Sequence, residues 1–156
     1  MFHIQLITVG KLKDRALQEL AAEYTKRLSP YAKLQLVEII ETPFKSPQER
    51  PRIIEAEAKK IIKFIPKDSF LFVLDERGKQ FSSVDFAKFI EKRVEKGSTV
   101  TFIIGGPLGV TESIKAMADS QLALSTMTFT HQMARVLLIE QLYRACAITA
   151  GKTYHY

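Results

Sequence analysis

Three short stretches carry residue types and spacings that could do chemistry. Gly105, Gly106 and Gly109 fall within five positions, just after the apolar run 100–104. Glycine lets a backbone approach a ligand closely. No Lys-Ser or Lys-Thr follows at the spacing of a phosphate loop, and the glycines do not match the dinucleotide fingerprint. Alone, the cluster is equally well a sharp turn from strand to helix. The second stretch is Leu124-Ser125-Thr126-Met127-Thr128-Phe129-Thr130-His131. Its hydroxyls and backbone groups beside Met127 and Phe129 suit a partly apolar ligand held by backbone hydrogen bonds. The plainer reading is that the hydroxyls cap the next helix. The third, Leu74-Asp75-Glu76-Arg77-Gly78-Lys79, would by itself be a charged surface turn. All three leave predicted strands at what should be one edge of one sheet. In open α/β sheets ligands bind at that carboxyl edge, so the convergence favours a pocket.

His131 sits at the end of the hydroxyl stretch, with Arg135 one helical turn further on. His155 lies near the C-terminus in Tyr154-His155-Tyr156, and a lone histidine there gains little from its surroundings. His3 opens a strand and is unremarkable. Cys146, within an apolar helix, is most simply a small core residue. Lys11, Lys13 and Arg15 cluster at the first strand exit, and Lys45, Arg50 and Arg52 lie on or near a proline-rich stretch. Such cations can bind phosphate, although a solvated surface is the ordinary explanation.

The elements that must hold these residues alternate. Strands are expected over 4–9, 34–40, 69–74, 100–104 and 121–124. Helices are expected after Asp14, over the face Ile54, Ala58, Ile61, Ile62 and Ile65, after Ser82 or Ser83, after Thr111, and from His131 onward. Residues 43–51 hold three of the six prolines and read as an irregular, mobile loop. Residues 75–80 read as a polar loop, and Gly97 as a helix stop. The order predicts one α/β domain over 1–156, with a largely parallel sheet flanked by helices. The last helix is apolar around most of its circumference. A second cover is therefore expected on it, either another subunit or a large core; a dimer is favoured.

Composition narrows the function classes. The chain has 156 residues, 46% of them hydrophobic, which excludes a disordered tail. The formal net charge of +6 leans toward an anionic partner such as RNA. One cysteine and three histidines argue against a disulfide framework and a zinc site. No signal peptide is visible, and the apolar stretch 133–150 is broken by Arg135, Glu140 and Arg144, so a soluble cytoplasmic protein is expected.

The chain resembles the ribosomal RNA large subunit methyltransferase H family of the SPOUT superfamily. The matching residues are Val9-Gly10-Lys11-Leu12-Lys13, Leu74-Asp75 with Gly78-Lys79, Ile104-Gly105-Gly106-Pro107 with Gly109, and Leu124-Ser125 with Met127-Thr128-Phe129. They continue through His131-Gln132-Met133, Arg135-Val136, Glu140-Gln141, Tyr143-Arg144-Ala145 and Tyr154-His155. The resemblance implies a C-terminal trefoil knot, a homodimer, and use of S-adenosyl-methionine to methylate N3 of a pseudouridine in 23S rRNA of assembled ribosomes. It implies a cofactor site at Leu74, Gly105, Leu124, Ser125, Thr126, Met127, Thr128 and Phe129. Some relatives carry a basic residue after the Tyr-His pair, where this chain has Tyr156.

A nitrogen of a uracil-type ring must lose its proton before it attacks a methyl group well. His131 is the first candidate base and His155 the second, with Arg135 or Arg144 able to stabilise the developing anion. A structural ion pair between Glu140 and Arg144 accounts equally well for Arg144. No metal is suggested. The competing expectations are a superfamily methyltransferase acting on another RNA such as tRNA, and a non-catalytic ribosome-binding module.

Overall fold

Apolar residues alternate along the first strand, β1 (Phe2–Val9). Ile4 and Leu6 face one core and Ile7 and Val9 the other, so the strand is covered on both sides. A computed structural model describes residues 1–94 and 98–152. It shows a sheet of five parallel strands in the order β2-β1-β4-β3-β5. The other strands are β2 (Ala32–Ile39), β3 (Ser69–Lys79), β4 (Thr99–Ile104) and β5 (Ser120–Leu122). The expected α/β class and parallel sheet are present.

Among the described residues four α-helices connect them, α1 (Arg15–Leu28), α2 (Arg50–Ile62), α3 (Ser83–Val94) and α4 (Glu112–Met117), and a fifth, α5 (His131–Thr149), follows β5. Three starts follow from side-chain caps. Asp14 accepts from the Leu17 N–H, Thr111 from Ile114 and Thr130 from Met133. Leu28 of α1, Phe86 and Ile90 of α3, and Val136, Leu138 and Leu142 of α5 bury against one sheet face. Ala58 and Ile61 of α2 and Ile114 of α4 bury against the other.

Several expectations are corrected. β3 does not stop at Leu74. It runs to Lys79, because Leu122 of β5 pairs with both Leu74 and Lys79 and residues 75–78 bulge out between them. The proline-rich stretch is largely built. A 3-10 turn (Pro47–Glu49) carries a capping box between Ser46 and Glu49, and α2 begins at Arg50. The buried face of α2 uses Ile53 rather than Ile62, which is 42% exposed, and Ile65 lies beyond the helix end. Gly97 and His155 lie outside the described residues.

The all-round apolar character of α5 has an explanation within the chain. Its sides pack on α1 and α3, with Tyr143 beside Tyr24 and Tyr31. The sheet covers its inner side. A partner subunit is not needed to account for that pattern. Among the described residues, no helix is long and apolar enough to cross a membrane.

Candidate active site

The carboxyl ends of β3, β4 and β5 open into a cleft of about 1190 Å³. Seven of the expected residues line it: Leu74, Gly105, Leu124, Ser125, Met127, Thr128 and Phe129. Thr126 does not; it sits exposed in the same loop. The three loops picked out by residue type therefore do converge. Their meeting follows from topology, since parallel strands that neighbour one another deliver their exits to the same edge.

The glycine turn forms the floor at β4. Gly109 adopts φ +83 and its N–H closes back onto the Gly106 carbonyl at 3.0 Å. A Cβ on Gly105 would stand 2.8 Å from Val110 Cγ1 and 2.9 Å from the Gly109 backbone. Only glycine fits there, and the turn offers bare backbone to the cleft.

Two polar links tie the loops together. Thr128 Oγ1 donates to Glu76 Oε2 at 2.5 Å, joining the exit of β5 to the bulge in β3. Lys115 Nζ of α4 pairs with Asp75 Oδ2 at 2.5 Å, well shielded from solvent. Burial would raise the Asp75 pKa, but the Lys115 ammonium together with the Arg77 N–H and charge outweighs it, and the carboxyl stays below its usual range. The sequence carried no signal for Lys115 as a partner, because it comes from a helix that neither of the other two loops belongs to.

His131 lines the cleft at the first residue of α5. Burial lowers its pKa, with Arg135 and Lys13 adding to the effect against Glu41. The imidazole is consequently neutral at neutral pH and can accept a proton. Arg135 is a different matter. It is 4% exposed and lies away from the cleft lining. Its guanidinium donates to Glu38 Oε2 at 2.8 Å, to the Gly10 carbonyl at 2.7 Å and to the Thr8 hydroxyl. Arg135 thus pins the start of α5 to the exits of β1 and β2. Arg144 Nη2 meets Glu140 Oε1 at 2.6 Å, the structural pair allowed for by the spacing. Burial pushes the Cys146 thiol up to about 12, so it is no nucleophile. Among the described residues, no group of acidic, histidine or cysteine side chains could hold a metal.

The lining suits a ligand that is part apolar and carries charges of both signs. Leu74 and Leu124 give apolar walls, Asp75, Glu76 and Glu112 bring carboxylates, and Arg50, Arg77 and Lys115 bring cations. Met127 and Phe129 are 74% and 41% exposed at the rim, unusual for side chains of their size. S-adenosyl-methionine, an adenine and ribose joined to a sulfonium-bearing amino acid, fits that description.

Residues 2–155 match the family described as Predicted SPOUT methyltransferase. The ribosomal RNA large subunit methyltransferase H of Carboxydothermus hydrogenoformans is 43% identical over 156 residues, covering 97% of this chain and 98% of that protein. The protein of the same description from Clostridium acetobutylicum is 43% identical over 157 residues, covering 98% and 99%. Among solved structures, a probable methyltransferase from Bordetella pertussis superposes with a TM-score of 0.60 at 13% identity, covering 93% of this chain and 95% of that one. That last likeness is one of fold. The chain belongs to the SPOUT methyltransferase family and, within it, to the ribosomal RNA large subunit methyltransferase H family.

Proposed function

We propose that the protein methylates N3 of a pseudouridine in 23S rRNA, within assembled ribosomes, using S-adenosyl-methionine. The observation that carries this reading is the cleft, where three loops of a family methyltransferase meet beside a neutral histidine. The relatives' printed description supports ribosomal RNA of the large subunit as substrate. A ribosomal substrate places the activity in the cytoplasm.

When bound, S-adenosyl-methionine supplies an electrophilic methyl group on sulfur. Leu74, Gly105, Leu124, Ser125, Met127, Thr128 and Phe129 would hold it, with Thr126 closing the loop from outside. The volume of about 1190 Å³ leaves room for a nucleobase beside it. His131 takes the imide proton, and Arg135 keeps the His131 turn in place through Thr8, Gly10 and Glu38.

His155 enters through a partner. The start of α5 lies at the cleft, while Lys152, past its end, stacks on Tyr31 ahead of β2. A 19-residue helix is about 28 Å long. The three residues from Lys152 to His155 span at most about 11 Å. In this reading His155, the second candidate base, acts in the cleft of a second copy. A homodimer with the tail given in trans follows, and the C-terminal trefoil knot implied by the resemblance belongs to the same reading.

The test is methyl transfer from radiolabelled S-adenosyl-methionine to ribosomes from cells that lack the modification. Label at a pseudouridine of 23S rRNA supports the reading. Label absent from ribosomes but present in tRNA would overturn it.

A further inference from the structure

Among the described residues two cations at the cleft, Arg50 and Arg77, form no ion pair, and Arg77 already shares the charge of Asp75 two positions away. Arg50, the first residue of α2, lines the cleft. Its Nε donates to the Leu108 carbonyl, within the glycine turn, at 2.9 Å. A Cβ placed on Gly109 would lie 3.8 Å from its Nη2, so the guanidinium lies along the turn. Its neighbours are neutralised: Arg52 pairs with Glu49 at 2.6 Å, and Lys13 with Glu41 at 3.4 Å. Lys115 is held by Asp75. Among the described residues, Arg50 meets no carboxylate.

The segment that presents Arg50 is stapled. Glu49 Oε2 accepts the N–H groups of Lys45 at 2.6 Å and Ser46 at 3.2 Å, while Oε1 holds Arg52. Those bonds keep the Glu49 carboxyl below its usual pKa, with the Lys45 N–H first among the causes. A guanidinium fixed through Nε, with its Nη face open and uncompensated, is the geometry that grips a phosphodiester in a fork.

We propose that Arg50 is a substrate-positioning residue that binds a backbone phosphate of the RNA flanking the target base. This rests on the function proposed above. The same guanidinium holds the Leu108 carbonyl, so RNA docking and the shape of the glycine turn are linked through one side chain.

The experiment measures ribosome affinity against salt concentration for the full-length protein, alongside S-adenosyl-methionine affinity by calorimetry. The wild type reads the proposed function: if it neither binds nor methylates ribosomes, that reading fails first. Given wild-type binding, Arg50→Gln should weaken ribosome affinity about tenfold at low salt and lower the log–log salt slope by about one. Arg50→Lys keeps the charge and should keep the slope. Lys59→Gln removes the same charge from the exposed outer face of α2 and should behave as wild type. An unchanged slope in Arg50→Gln, or an equal fall in Lys59→Gln, would overturn the proposal. So would a large loss of S-adenosyl-methionine affinity with the slope intact, which would assign Arg50 to the carboxylate of that molecule.

Discussion

Arg135 of α5 reaches Glu38 of β2 at 2.8 Å, and the same guanidinium satisfies the Thr8 hydroxyl and the Gly10 carbonyl. Two neighbouring parallel strands and the last helix are joined by one nearly buried charge. Removing a single member of such a group leaves the others desolvated and unpaired. Arg135→Met should cost about 3 kcal/mol, lowering Tm by about 6 to 12 °C in a chain of this size. Thermal unfolding checks it; a Tm within 2 °C of wild type would show that the group contributes little.

The proposed base His131 should set the pH response. Its pKa lies below the ordinary imidazole value of about 6.5, chiefly through burial. A neutral base is lost on protonation, so kcat should fall only below about pH 6.5. Stability follows the same sign. As pH falls, the unfolded chain takes the proton first, so this contribution is complete above about 6.5 and declines below it. His131→Gln should lose the acid limb and most of kcat. A variant that keeps both would remove His131 from proton transfer.

Gly105→Ala should weaken S-adenosyl-methionine binding at least tenfold. The new methyl group would meet Val110 at 2.8 Å and the Gly109 backbone at 2.9 Å, and the turn must move. Calorimetry decides, and an affinity within twofold of wild type would take the turn out of the site.

Thr128→Val breaks the 2.5 Å link to Glu76 at an exposed position. The expected result is a three- to tenfold loss of S-adenosyl-methionine affinity with almost no change in Tm, because a solvent-facing bond adds little to folding. Equal losses of Tm and affinity would mean the link serves the fold instead.

The tail argument predicts complementation. At an S-adenosyl-methionine concentration that saturates wild type but not Gly105→Ala, the Gly105→Ala and His155→Ala proteins should each have little activity alone. Mixed after reversible dissociation, they should regain about a quarter of wild-type activity, since half the dimers are hybrid and each hybrid has one complete site. Two proteins that stay poorly active when mixed would argue for a tail outside the site.

Local chemistry made much of this protein legible. Asp14, Thr111 and Thr130 carry hydroxyl or carboxylate oxygens that cap helices whatever surrounds them. The short apolar runs announced strands covered on both faces, and the types at 74, 105 and 124–131 marked loops able to hold a ligand. The rest depends on which distant segments become neighbours. The bulge in β3 exists only because Leu122 pairs twice with it. The proline-rich stretch is ordered by the oxygens of Glu49. Arg135 looked like part of a site because it follows His131 by one turn; four positions along a helix share a face, but the acceptors for Arg135 arrive from β1 and β2. Residue type and spacing determine which groups can act; the strand order determines which of them meet, because hydrogen bonds and ion pairs require contacts that periodicity does not encode.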